Sequence, residues 1–512
     1  MKRFFVVAAL MSLLAIFAMP VSVYARVGDL GFFGGISEGR RLPRTTETRL
    51  LQQAGTRPSG GTITMAYKEP VFLNGRPEIF EGLLDITSGA PGINSTAGTF
   101  QVTKRVRPGD ATGDVIINRV MNFTVEYWVE GTQMMMYYNL NQNNWSETIT
   151  VGGNVFTLDN NRSSMVVAVI EDRTPGITFY RGDISTRLFY TDATGNVTNV
   201  VKHGFFTGFH NAWSATETQR LDVEIINDDW AMSYQVRPSV TVNKVLQFVS
   251  NEPTVISFEG NYRELHQSFA GLRYDIFIIP HFMWDEPEYG TMNLERENVF
   301  EQLPAPDTTH LRGHPAEDDI HRLFAMQVLQ GDPRTFIPGQ AITRGQFMTA
   351  LARAIKIPVE PQVLPRGTRR PPPVVTLFDD VDSTRQEFRY IQALNRAGVA
   401  FGRADGRFHI DAPVSRQEAF ATIIRALGLT IMGLNPTVVT PFVDTDTIAD
   451  WAIREVGVAY TLGLIFPDED GFIHPNRAIS KAEAAALFNN LIDYLRMVIV
   501  SDYADQIVNI AR

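Results

Sequence analysis

Three short stretches of this chain place a hydroxyl, a cation and a second polar side chain in the same order. They are Ile342-Thr343-Arg344-Gly345-Gln346, Val414-Ser415-Arg416-Gln417-Glu418 and Ile479-Ser480-Lys481-Ala482-Glu483. A Ser or Thr followed three positions later by Glu or Gln is the pattern of a capping box, in which each side chain takes up a backbone N–H left without a partner at a helix start. Each stretch is therefore read as the beginning of a helix, with Thr343, Ser415 and Ser480 as caps. The residue after each cap is a cation, Arg344, Arg416 or Lys481. At the first helical position a positive charge opposes the helix dipole, so a charge recurring there three times calls for a counter-charge. Beside free first-turn N–H groups it would seat an anion, a carboxylate or a phosphate. The plainer reading is an exposed cation, or one paired within the protein.

Other chemistry-bearing patterns lack their context. Cysteine is absent, which excludes disulfides, zinc-thiolate sites, iron–sulfur clusters and thiol nucleophiles. Gly35-Ile36-Ser37-Glu38-Gly39 has the spacing of a nucleophile elbow, but no strand pattern precedes it and no α/β alternation surrounds it. His310 and His314 are four apart, yet Gly313 and Pro315 oppose the helix that would bring them to one face, and His321 adds little. Asp444-x-Asp446 and Asp468-Glu469-Asp470-Gly471 are fragments of a calcium-loop pattern without its full register. No metal and no cofactor is expected.

The elements that must position the three stretches are short amphipathic helices. Ile320, Leu323, Phe324 and Val328 fall on one helical face, as do Ile391, Leu394 and Ala397. A turn precedes each stretch, at Phe336-Ile337-Pro338, Asp405-Gly406-Arg407-Phe408 and Asp470-Gly471-Phe472-Ile473-His474-Pro475. Thr343 and Ser415 are 72 positions apart and Ser415 and Ser480 are 65, so the region is an internal repeat. The longer interval contains Pro361, Pro365, Pro371-Pro372-Pro373 and three arginines, an extended linker.

Before the repeats, from about residue 60 to 300, the pattern is β. Val120 to Val129, Asp222 to Ile226 and Ser239 to Phe248 alternate in places, and Ser164 to Ile170 reads as a more buried strand. Turn signals such as Asn74-Gly75 and Gly152-Gly153 separate such runs, which points to a sandwich or a barrel, in one domain or two. Trp128, Trp145, Trp213, Trp230 and Trp284 lie here and are expected mainly in the core rather than as a sugar-stacking platform.

With 512 residues, two or more domains are expected. A net charge of −10 disfavours nucleic acid and polybasic membrane binding. Lys2 and Arg3, the apolar run Phe4 to Met19 and the small-x-small site Val23-Tyr24-Ala25 read as a secretion signal. That run is short for a transmembrane helix, and no other segment is apolar enough to be one. The expected division is 1–25 signal, 26–59 N-terminal segment, 60–305 β-rich, 306–358 first repeat, 359–376 linker, 377–430 second repeat, 438–496 third repeat and 497–512 tail.

The C-terminal region, about Thr309 to Arg496, resembles three S-layer homology (SLH) modules. Their pattern opens with Phe-x-Asp, carries Trp-Ala on a first helix and passes a glycine-containing turn before Thr-Arg-Ala-Glu. Phe442-Val443-Asp444, Asp450-Trp451-Ala452 and Ser480-Lys481-Ala482-Glu483 reproduce it in the third repeat. Phe378-Asp379-Asp380 and Ser415-Arg416-Gln417-Glu418 do so in the second. The first has Ala316-Glu317-Asp318-Asp319-Ile320 and Thr343-Arg344 but lacks the Phe-x-Asp opening. The resemblance implies an all-α, pseudo-threefold helical bundle whose grooves bind a secondary cell-wall polysaccharide, often one bearing pyruvate ketals. It carries the motif cation to Arg344 and Arg416, with Lys481 a departure from the planar fork of arginine. It maps the turn glycine to Gly331 and Gly402, with Pro467 in the third repeat, and the first-helix aspartate to Asp318 and Asp450, beside Trp451. The expectation is a multidomain, non-catalytic, extracellular surface protein held at the cell wall, with other surface-layer subunits as further partners. The alternative is a wall-anchored polysaccharide-acting enzyme with paired carboxylates in the β region.

Overall fold

Long alternating runs make this N-terminal region a single sheet. The computed structural model describes residues 28–42, 62–89, 96–109, 113–250, 261–282, 287–359, 377–435 and 438–498. The secretion signal, the proline-rich linker, most of the tail and Trp284 lie outside the described residues. The first strands are β1 (Ile36–Ser37), β2 (Thr62–Val71), β3 (Glu78–Ser88), β4 (Ala97–Pro108), β5 (Ile116–Glu130) and β6 (Gln133–Leu140). A short hairpin follows, β7 (Ser146–Val151) and β8 (Asn154–Leu158), then β9 (Ser164–Arg173), β10 (Thr178–Thr191) and β11 (Val197–His210). The last are β12 (Ser214–Ile226), β13 (Ala231–Val249), β14 (Asn261–Ile278), β15 (Tyr289–Glu295) and β16 (Val299–Gln302). Neighbours in sequence pair antiparallel, except that β9 joins β6, the β7–β8 hairpin bridges β5 to β10, and β16 pairs with β14.

The sheet curls into a barrel-like shape, and the sandwich alternative does not form. Phe72, just after β2, packs on Tyr234 of β13 with ring centroids 4.0 Å apart and meets Tyr274 of β14 edge-on. The enclosed space is filled by the chain's own N-terminal segment, residues 28–42, nearly all buried. Glycine makes this threading possible. A Cβ on Gly35 would lie 2.3 Å from the Tyr67 hydroxyl, and one on Gly39, at φ +71°, would lie 2.6 Å from Val242. The Gly35–Gly39 stretch is thus packing chemistry. Ser37 belongs to β1 and is fully buried.

Charges inside the barrel are paired. Arg119 binds Glu69 and Glu147 at 2.7 and 2.6 Å, with all three side chains under 5 % exposed. Lys104 donates to the Gly28 carbonyl at 2.6 Å, and Glu217 accepts from the Gly28 N–H at 2.9 Å. Many strands alternate buried and exposed positions, and Arg181, Asp183, Arg220, Asp222 and Glu224 are exposed on the outer face of β10 and β12. Mid-strand charges of this kind oppose a lipid-facing belt. No helix among the described residues is long and apolar enough to cross a membrane.

The repeats supply three helix pairs: α1 (Glu317–Ala325) with α2 (Arg344–Ala354), α3 (Phe388–Arg396) with α4 (Arg416–Leu427), and α5 (Ile453–Thr461) with α6 (Lys481–Asp493). Their apolar faces share one core, which includes Ile320, Phe347, Leu394, Phe420, Val456 and Phe488. The same core takes in Ile177, Phe209 and Trp213 from the β domain. Trp145 and Trp213 are fully buried, as expected of core tryptophans, while Trp128 remains 37 % exposed and stacks on Tyr137.

Candidate binding site at the repeat junctions

Each motif begins a helix where the sequence places it, and each helix start leans on the turn of the next repeat. The N–H groups of Arg344 and Gly345 donate to the carbonyls of Ala412 and Ile410. Those of Arg416 and Gln417 donate to Arg477 and Pro475, and those of Lys481 and Ala482 to Gln340 and Pro338. Single β-bridges, Thr343 to Pro413, Ser415 to Ala478 and Ala341 to Ser480, complete the ring. The third first-turn N–H is held by the cap, Thr343, Ser415 or Ser480. The first-turn donors expected to be free for an anion are therefore occupied by the protein.

The ring also explains the cations. Arg344 reaches into the second repeat, where its Nε donates to the Phe408 carbonyl at 2.8 Å and Nη2 to the Phe401 carbonyl at 3.0 Å, while Nη1 pairs with Glu418. Arg416 repeats the pattern one step on, with Nε on the Ile473 carbonyl and Nη1 on Glu483, both at 2.6 Å. Lys481 closes the circle on the first repeat, donating to Gln340 Oε1 at 2.7 Å beside the Phe336 ring. The counter-charge of each motif arginine is thus the third-position carboxylate of the next motif, set among turn carbonyls, whereas Lys481 meets an amide oxygen. The reciprocal capping box forms at Thr343 and Ser480 but not at Ser415, where only the hydroxyl half is made.

Burial lowers the Arg344 guanidinium to about 10, still charged at neutral pH, and lowers Arg416 as well, against the opposing charge of Glu483. Burial raises Glu483, but hydrogen bonds from Arg477 and Ser480 and the Arg416 charge outweigh it and hold the carboxyl at about 2. Arg344 is almost wholly enclosed at 3 %, whereas the Arg416 side chain keeps 14 % of its surface and Lys481 is likewise only partly buried.

Cation and glycine of one junction come from different repeats. Arg344 bonds the residue before Gly402, Arg416 faces the turn that carries Pro467, and Lys481 faces the repeat that carries Gly331. A Cβ on Gly402 would come 2.9 Å from the Phe378 ring. Gly331 is required by its backbone, with φ at +97°. It lines an open groove of about 390 Å³ with Pro304, Gln330, Arg353 and Gln386. Trp451 is half-exposed, with the Arg425 guanidinium 5.5 Å from its ring. Asp318 and Asp450 do not occupy equivalent places: Asp318 is the second residue of α1, while Asp450 lies three residues before α5. Both are exposed, and the structure does not bring them together.

The opening acids carry a role the sequence did not reveal. Asp380 accepts from the N–H groups of Phe408 and His409, and Asp444 does the same with Ile473 and His474. His409 and His474 are held at positive φ, 58° and 48°. Each acid clamps a left-handed turn whose neighbouring carbonyl receives a motif cation.

Two buried carboxylate pairs lie in the β domain. Glu69 and Glu147 share Arg119. Glu264 and Glu301 face each other across β14 and β16 near Trp213, and His266 joins them, the three ligand atoms within 4.8 Å of one another. The Lys244 ammonium, 2.9 Å from Glu264, already occupies the cation position there.

Comparison with known proteins agrees with this geometry. Residues 308–348, 377–420 and 441–485 each match the S-layer homology domain family. An endoglucanase of Bacillus sp. (strain KSM-635) is 25 % identical over 175 residues, 34 % of this chain and 17 % of that protein. The S-layer protein sap of Bacillus anthracis is 26 % identical over 174 residues, 34 % of this chain and 19 % of its own length. An amylopullulanase of Thermoanaerobacterium thermosulfurigenes is 26 % identical over 180 residues, 35 % of this chain and 9 % of the enzyme. The chain thus spans less than a fifth of these relatives, and the likeness to the enzymes covers the repeat region alone.

Proposed function

We propose that this chain, which carries three S-layer homology domains, is a non-catalytic surface protein whose helical bundle binds an acidic, pyruvate-bearing secondary polysaccharide of the cell wall. The supporting observation is the ring of three motif cations at the repeat junctions, two of which keep exposed surface beside a turn of the next repeat. A ketal carboxylate would meet the outer edge of the guanidinium or ammonium rather than the occupied helix N–H groups. On this reading Arg416 and Lys481 contact ligand. Gly331, Gly402 and Trp451 shape the grooves, and Arg344 mainly holds two repeats together. Asp318 and Asp450 would tune the charge around the grooves from exposed positions. The β domain would face outward for contact with other surface-layer subunits.

The test is sedimentation of the intact protein with purified walls. Arg416→Ala removes one charge-assisted contact and is expected to weaken binding about 10- to 150-fold, or about 1.5–3 kcal/mol, with helix content unchanged. Lys481→Ala should cost less, since an ammonium lacks the bidentate fork. Undiminished binding by the double variant would overturn the assignment of the ring as the polysaccharide site.

A further inference from the structure

The β domain meets the bundle at the C-terminal ends of the second helices. Trp213 Nε1 donates to the Ala354 carbonyl at 2.7 Å, at the end of α2. The Gly176 N–H and the Thr174 hydroxyl donate to Ala426 and Leu427, at the end of α4. Asn211 and Ser214 both donate to Leu495, just past α6. Three sets of terminal carbonyls, which a helix cannot satisfy internally, are thus met by one rim of the barrel.

Behind Trp213 lies a cluster of charges. Lys244 of β13 is fully buried and stands 5.3 Å from the Trp213 ring centroid, while Lys356, just past α2, stands 4.3 Å away. Lys356 is only partly buried as a residue, but its amine lies against the same fully buried ring as the Lys244 amine. Two ammonium groups held against one buried ring repel each other, which favours a single positive charge on the pair. The other charged groups around the pair are Glu264 and His266 of β14, Glu301 of β16 and Arg496 after α6. Arg496 Nε donates to the Lys244 carbonyl at 2.7 Å.

We propose that the joint between the β domain and the bundle is a proton-sensitive latch, closed while Lys244 and Lys356 share one positive charge and loosened when both are charged. Burial and the Lys244 charge push Lys356 well below the ordinary lysine value. The unfolded chain then binds the additional proton, so stability is highest above the ordinary lysine value, about 10.4, and falls as the pH drops toward the depressed one. Each unit of depression is a tenfold change in the folded-to-unfolded ratio. His266 works in the opposite sense. Burial lowers it, but bonds to Glu264 and Glu301 outweigh this and raise it, so its contribution is present in acid and lost as the pH rises through its raised value. The lysine pair is therefore to be read in the alkaline range, away from His266.

The experiment is urea unfolding of the full chain between pH 7.5 and 10.5, comparing the native sequence with Lys356→Met. Lys104 and Lys202, buried inside the barrel, are also pushed down and tilt both curves alike, so the difference between the proteins is the readout. The latch requires Lys356→Met to be the more stable at pH 7.5, with its advantage shrinking at least tenfold in the folded-to-unfolded ratio by pH 10.5. Parallel curves would overturn it. Should the variant not fold, the 13Cε signal of Lys356 in the native chain decides the matter. A midpoint at least one unit below 10.4 supports the latch, and any higher midpoint refutes it.

Discussion

Arg344 and Arg416 hold the same place in the repeat but differ in how much of the guanidinium the protein consumes. All three nitrogen groups of Arg344 have protein partners, and 3 % of the residue is exposed. Arg344→Ala would leave two turn carbonyls and Glu418 without their donor. The expected cost is about 3–5 kcal/mol of stability, as for breaking a buried pair, measurable by thermal denaturation. Arg344→Lys should recover little, because one ammonium cannot replace a planar fork spanning three acceptors. Glu483 sets an acid limit. Its carboxyl is held at about 2, so its stabilising effect is present above the unfolded value, about 4.3, and is lost as the pH falls through 2. Glu483→Gln is expected to flatten the acid limb of a stability–pH curve in that window. The cations and caps were legible in the sequence because spacing fixes where a helix starts. Their partners were not, since they lie in the next repeat, 57 to 74 positions away for Arg344 and Arg416.

At the scale of the element, the Phe-x-Asp opening works through the turn it clamps. Asp444 is 8 % exposed and accepts the N–H groups of Ile473 and His474. Asp444→Ala should leave both donors without acceptor and release a left-handed residue, at about 1–3 kcal/mol by urea denaturation. Asp444→Asn should lose less, because one carbonyl oxygen remains to accept. The strands show what alternation can and cannot tell. The runs at 120–129, 164–170, 222–226 and 239–248 all fall inside β5, β9, β12 and β13, because alternating burial is a property of one strand and its two faces. The N-terminal segment, by contrast, showed only glycines and a misleading serine motif. Its burial depends on Tyr67, Glu217 and Val242, residues of three distant strands, so no local pattern announces it.

For the whole molecule, the arrangement places the barrel on the C-terminal ends of the second helices and leaves their N-terminal ends, with the cation ring, at the opposite pole. The division into a β-rich part and a helical part was legible from the switch of hydrophobic period. The joint between them was not, because Trp213 looks like any core tryptophan until the helices are placed against it. A bundle held by its far pole leaves the cation ring uncovered by the barrel, and on the proposed function acidity in the wall polysaccharide is what that ring recognises. The most direct measurement is equilibrium binding of the intact chain to wall polysaccharide before and after removal of its ketal carboxylates, at matched ionic strength. The expected result is tight binding to the acidic form and at least a tenfold loss on removal. Equal affinity for the two forms would contradict the account.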